Sequence, residues 1–303
     1  QYVEEFESLC RDYLELEEIT ASAPFRNYPS EYRYDHLSVA RAAETVAQQE
    51  RNRLGLGDAP IHSLRELLER EVGLRIFYME MKPSDKFSAM YTYSDKLGGA
   101  IAVNRLHEEE RRRFSLAHDY AHFLVHRHKA EVLMQDGYKR RPESEQFADQ
   151  FAVHFLMPTL SVTRSYNAMK ASQSRFTLGD LLRLAYYFGV SFEAMALRLE
   201  GLKLLPTGTF ALMQSRGVNV KKARQELNLQ QSTIYEDLLP KRYQVLAVQA
   251  YTQEEISEGQ LAHFLRVNRL VAREVVALLQ GQISSLLELP AQELSEAMAT
   301  QGE

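Results

Sequence analysis

The alternation of apolar and polar positions divides the chain into a helical opening, a short β-rich passage and a long helical remainder. From Gln1 to about Arg53 apolar residues recur with helical period, and SVARAAETVAQQERNRLGLGD gives one long amphipathic run ending at Gly55, Gly57 and Pro60. After Pro60, Ser63 followed by Glu66 fits a capping box opening a short helix, LRELLEREVG, that Gly73 closes. The period then changes. Leu74, Ile76 and Tyr78 alternate with opposite-face residues, Ser88 to Tyr93 is β-rich, and Ala100 to Val103 is a short apolar run between Gly98-Gly99 and Asn104. Three short antiparallel strands are the economical reading.

Helical period returns at Glu108. The run EEERRR, Glu108 to Arg113, carries its charges at i,i+3 spacing and reads as a solvated helix surface pairing along one turn. FSLAHDYAHFLVH follows as a helix, a looser segment runs through Gly137, and ESEQFADQFAVHFLMP is a helix stopped by Pro158. Leu178 to Gly201 holds two short helices around Gly189-Val190-Ser191, and LKLLPTGTF, with Pro206 and Gly208, marks a boundary. The fold class is therefore α+β in three parts. A helical N-terminal arm covers 1–58, a domain with a small antiparallel three-stranded sheet packed on helices covers 59–205, and a helical C-terminal domain covers 206–303.

Within that last part ISEGQLAHFLRVNRLVAREVVALL has helix-turn-helix rhythm, with Arg269 and Arg273 on its second helix. Its turn lacks the usual Gly, so a plain helical hairpin and a DNA or partner-helix contact both stay open. LLRLAYYFGVSFEAMALRL has similar rhythm, but Tyr186, Tyr187, Phe188 and Phe192 suit packing on the preceding domain better than reading bases. Met79, Met81 and Met90 read as core, and His36, His62 and His263 stand alone.

Composition narrows the chemistry. An apolar content of 45% supports a real core, and no run approaches the roughly 18 to 20 apolar residues of a membrane span. The acidic opening QYVEEFESLC is unlike a secretory signal, so the chain reads as soluble and cytoplasmic. It starts with Gln rather than Met, which reads as a fragment lacking an upstream piece. The net charge of −5 argues against a protein that coats nucleic acid. Cys10 is the one cysteine, so no disulfide or cysteine metal cluster forms within the chain and any metal must sit on His and carboxylates.

Six of the nine histidines lie between positions 107 and 154: His107, His118, His122, His126, His128 and His154. His118 and His122 stand at i and i+4, which puts both imidazoles on one helix face at the spacing for one ion. Chance supplies roughly 0.3 such pairs per chain, and requiring an acid directly after the first His lowers that to roughly 0.04. Here that acid is Asp119 in HDYAH, where the zinc peptidase pattern H-E-x-x-H has its general base. Catalytic zinc takes three protein ligands and keeps a fourth position open. His128 stands ten residues after His118, yet Val125 occupies the place where a Gly would have to break the helix to bring it back. Glu145 is the better third ligand, since it shares a face with Ala148, Asp149 and Ala152, whose alanines permit close approach to the HDYAH helix. Asp149 is then a supporting or substitute ligand, and Phe147, Phe151 and Phe155 form the opposite, core-facing stripe.

RRRFSLAHDYAHFLVH followed by ESEQFADQFAVHFLMP resembles the ImmA/IrrE family of zinc metallopeptidases, and the resemblance extends over roughly Ile61 to Gly208. It implies a zincin-like helical core beside the sheet, zinc on His118, His122 and Glu145, and Asp119 at the general-base position. The family normally has Glu there; Asp is one methylene shorter, so the resemblance implies metal binding more firmly than peptidase activity. It also implies cleavage of a helix-turn-helix repressor, which switches on stress or mobile-element genes. An XRE-type DNA-binding domain preceding Gln1 would fit members of this length. The alternative with the same fold is a metal-binding sensor or transcription regulator whose peptidase site is weakened by Asp119. A phosphohydrolase using His118 and Asp119 directly, completed by His107 and Asp136 or Asp149, is a more remote reading that leaves His122 idle.

Overall fold

The computed structural model describes residues 1–33, 37–84, 86–128, 142–173, 175–229 and 238–287. In chain order its elements are helices α1 (Tyr2–Ile19), α2 (Val39–Arg53) and α3 (Leu64–Leu67), then strands β1 (Arg75–Met79), β2 (Ala89–Ser94) and β3 (Gly98–Asn104). Helices α4 (Glu109–His126), α5 (Glu143–Leu156), α6 (Thr159–Gln173), α7 (Leu178–Phe188), α8 (Phe192–Gly201), α9 (Thr209–Ser215) and α10 (Val220–Glu226) follow. Last come α11 (Lys241–Thr252), α12 (Glu258–Phe264) and α13 (Arg269–Leu287). The architecture is α+β, with one small sheet in an otherwise helical chain.

The sheet is mixed rather than antiparallel throughout. Its order is β1-β3-β2, with β3 parallel to β1 (Arg75 opposite Ala100, Met79 opposite Asn104) and antiparallel to β2 (Ala89 opposite Val103, Ser94 opposite Gly98). Strand β3, whose run GGAIAVN is buried at every position, takes the centre. The chain therefore crosses from β1 to the far edge, forms β2, and returns through a hairpin. Because Asn104 N–H donates to Ser88 C=O at 2.9 Å, the paired positions on β2 are the even ones, and Ala89, Tyr91 and Tyr93 turn their backbone N–H and C=O to the outer edge. The hairpin side of the sheet thus ends in β2 as a free edge.

Helix α4 lies on this sheet. A Cβ on Gly99 would come within 2.5 Å of Leu74 Cδ2 and 2.9 Å of the Phe123 ring, so the bare glycine is what lets α4 approach. Short α3 runs into a π turn over Leu68–Val72 that Gly73 ends at φ 88. Ser63 is its N-cap but makes no side-chain cap bond, so the expected capping box does not form. Two of the charges in EEERRR turn inward instead of pairing on the surface. Glu110 is buried and meets Arg224 at 2.7 Å, and buried Arg113 donates to the carbonyls of Ile61, His62 and Gly189. On α7, Leu181, Leu182, Leu184, Ala185 and Phe188 pack inward while Tyr186 and Tyr187 face out.

Two compact units make up the chain, 1–24 with 239–303 and 25–238, a division that differs from the sequence boundaries at 58/59 and 205/206. Helix α2 explains the first difference, because Ala42, Ala43, Val46 and Ala47 are buried in one core with Phe147, Phe151 and Phe155. Its Glu50, fully buried, accepts from Tyr120, from Tyr32 at 2.9 Å and from Arg53 at 2.6 Å, and Arg51 donates to the carbonyls of Gly57, Phe155 and Ala59. In the other unit Tyr13 and Tyr243 stack edge-on at 5.3 Å, and the Tyr243 hydroxyl donates to Phe264 C=O at 3.0 Å. Helix α12 opens on a capping box formed by Ser257 and Gln260, and α13 carries Arg269, Leu270 and Arg273 on its exposed side, with Arg273 on Glu258 at 2.9 Å. Among the described residues no helix is long and apolar enough to cross a membrane.

Candidate metal centre

Two neighbouring helices present the donor atoms. Helix α4 is held on one side by the buried carboxylate of Glu50 through Tyr120, and on the other it turns His118 and His122 toward α5. The ring centroids of His118 and His122 lie 5.0 Å apart, and their Nε2 atoms face each other at 3.2 Å. Glu145, in the first turn of α5, reaches between them, with Oε2 3.3 Å from His118 Nε2 and Oε1 3.1 Å from His122 Nε2. One ligand atom from each of the three residues falls within 4.8 Å of the others, an arrangement that could hold a metal ion.

Two imidazole nitrogens at 3.2 Å with a carboxylate beneath them need a shared proton or a metal ion between them. Burial pushes His118 down, but hydrogen bonds to Asp149 and Glu145 outweigh it and hold its pKa at about 10. Glu145 is held far below the ordinary carboxylate range by His118 first and His122 second, against burial. A divalent ion would satisfy the same three donors and displace that proton. Two nitrogens and one carboxylate oxygen form a donor set suited to zinc, whereas calcium or magnesium asks for more oxygens.

Asp149 stands behind His118 rather than among the three donors, with Oδ1 at 3.0 Å from Nδ1. It fixes the ring so that Nε2 faces the centre. His122 has no matching support: its Nδ1 is buried without a hydrogen-bond partner. His128 stays outside the group. Helix α4 runs through Val125 to His126, the next residue keeps right-handed helical geometry, and His128 lands on the ring of Tyr93 at 5.2 Å. His107 is engaged elsewhere, its Nε2 on Ser84 C=O at 2.6 Å, and Asp136 lies outside the described residues.

These residues open into a cleft of about 1420 Å³ bordered by β2, α4, α5 and α8. Asp119 lines it, with Oδ2 buried and without a hydrogen-bond partner, and burial pushes its pKa up to about 6 against the pull of His118 and His122. Tyr91 on the β2 edge also lines it, with a buried hydroxyl that has no partner and a pKa that burial raises. Sequence reading missed Tyr91, Glu50 and the cleft residue Arg198. Of these only Glu50 left a trace, its i,i+3 spacing to Arg53; the others depend on contacts between distant segments.

Comparison with curated proteins gives no match. Residues 69–200, which contain His118, Asp119, His122, Glu145 and Asp149, match the Peptidase_M78 model, described as an IrrE N-terminal-like domain, and this match supports the ImmA/IrrE metallopeptidase family for that part of the chain.

Proposed function

We propose that the protein is a zinc-dependent endopeptidase with His118, His122 and Glu145 as metal ligands and Asp119 as general base. The observation that carries this reading is the convergence of the three donors within 4.8 Å in a cleft that Asp119 also lines. Zinc held there would supply Lewis acidity, polarising the scissile carbonyl and lowering the pKa of the attacking water. Asp119, which lines the cleft beside His118, takes the proton from that water and returns it to the leaving amine. The outward backbone groups of Ala89, Tyr91 and Tyr93 suit an extended peptide that adds as a strand to the edge of β2, which would lay its scissile bond across the cleft.

The substrate we infer is a DNA-binding repressor of the helix-turn-helix type, so that cleavage switches on stress or mobile-element genes in the cytoplasm. DNA contact through the C-terminal helices α12 and α13 belongs to the same proposal. The test is incubation of the zinc-loaded chain with such a repressor, read by mass spectrometry of the fragments. Cleavage that disappears with chelator and in His122→Ala supports the reading. An intact repressor with zinc bound would favour a metal-binding sensor or regulator instead.

A further inference from the structure

Arg198 lies on α8 and lines the cleft, half-buried, beyond the metal ligands. Its guanidinium is braced on one side only. Nε donates to Met157 C=O at 3.2 Å, and Nη2 donates to the same carbonyl at 3.1 Å, to Thr159 Oγ1 at 2.8 Å and to His154 Nδ1 at 3.2 Å. All of these acceptors are neutral. Nη1 is absent from this set of bonds, and no carboxylate of the described residues forms an ion pair with Arg198. The acid whose charge acts on Arg198 is Glu44 on α2, which accepts from Thr159 Oγ1 at 2.9 Å and is about half exposed. Burial lowers the Arg198 pKa and Glu44 offsets only part of that effect.

A guanidinium taken out of water is costly unless an anion meets it, and an arginine already fixed by neutral acceptors loses little further freedom on binding one. The same cleft contains the metal centre and the free edge of β2, so the anion would arrive on a peptide laid along that edge. We propose that Arg198 is a specificity-determining residue that takes a carboxylate of the bound peptide on its Nη1 side. This rests on the peptidase reading given above. The carboxylate belongs either to an Asp or Glu side chain or to the free C-terminus of the peptide.

The experiment uses the full chain loaded with zinc and an unbiased peptide mixture prepared in two forms, with C-terminal amides and with free C-termini, read by mass spectrometry. Enrichment of Asp or Glu at one fixed distance from the cut in the amidated set assigns the site to an acidic side chain. Enrichment at a fixed distance from the chain end, seen only with free termini, assigns it to the C-terminus. A charge-assisted hydrogen bond of this kind corresponds to a preference of about 10- to 100-fold over the neutral amide, and Arg198→Gln should flatten that preference. Cleavage with no acidic preference in either set overturns the role of Arg198 and leaves the peptidase reading standing.

If the wild-type chain cuts no peptide, the peptidase reading fails, and binding decides Arg198 separately. Calorimetry on the metal-free chain then compares an acidic peptide with its Gln and Asn counterpart. Tighter binding of the acidic form that is lost in Arg198→Gln keeps the site; equal binding removes it. Because Arg198 also braces Met157 and Thr159, Arg198→Lys serves as the second variant. It keeps the charge and should retain part of the preference, whereas a purely structural arginine would show no preference in the wild type to begin with.

Discussion

Asp149 Oδ1 sits 3.0 Å from His118 Nδ1, so the imidazole that faces Glu145 is oriented from behind by a carboxylate on the same helix as Glu145. An outer acceptor of this kind fixes the tautomer and raises the basicity of the metal-facing nitrogen. Asp149→Ala should therefore weaken zinc affinity by about 10- to 100-fold without abolishing it. Competition against a chromophoric chelator measures this; affinity equal to wild type would show that His118 is oriented by packing alone.

Glu145→Ala should weaken zinc binding as severely as His122→Ala, whereas His128→Ala should leave it nearly unchanged. The contrast follows from geometry, since Glu145 lies 3.1 Å from His122 Nε2 while His128 packs on Tyr93. Elemental analysis of the three purified variants reads it directly. Metal lost from the His128 variant and kept by the Glu145 variant would reverse the assignment.

The parts of this site legible in the sequence are the local ones. His118 and His122 are one helical turn apart, and Glu145 shares a face with Ala148 and Ala152, so their spacing alone places them on facing surfaces. Val125 likewise tells that α4 continues, because a β-branched residue makes a poor helix-breaking turn. What spacing does not carry is the long-range order. A buried run such as GGAIAVN signals a strand covered on both faces, but whether its neighbours run parallel depends on where the chain crosses over. The polar residues under the site were hidden for the same reason. Arg51 finds Phe155 C=O across 104 positions, and Glu50 finds Tyr120 across 70, so an amphipathic helix that looks like an arm carries core contacts on a stripe of alanines.

Asp119→Glu should raise peptidase activity with little change in zinc affinity. A well-placed general base contributes roughly 10² to 10⁴ in rate, and a carboxylate drawn back by one methylene, on the order of 1.5 Å, loses part of that. The buried, unpartnered Oδ2 of Asp119 leaves no protein hydrogen bond to be broken by the longer side chain. A gain of about 10-fold in cleavage rate, with metal content as the internal control, is the expected result. Equal activity in the two forms would show that Asp119 already reaches the water.

Stability at acid pH should depend on His154. Its Nδ1 accepts from Arg198 at 3.2 Å, which requires the neutral ring, although Glu44 stands 3.5 Å from the same atom. Burial first, then Arg198, push the His154 pKa down to about 4, and Glu44 opposes them without prevailing. An unfolded chain would protonate this histidine near pH ~6.5. Above that value the ring is neutral in both states and the native contribution is fully present. As pH falls from about 6.5 to about 4, the unfolded chain binds a proton that the folded chain refuses, and stability drops by on the order of 2 to 3 kcal/mol. Replacing His154→Gln keeps an acceptor for Arg198 and removes the titration. Denaturant midpoints of the two proteins measured between pH 4 and 7 should therefore separate as pH falls below about 6.5, the wild type losing stability that His154→Gln keeps. Parallel curves across that window would mean that His154 takes its proton in the folded state, and that the Glu44 contact outweighs the hydrogen bond from Arg198.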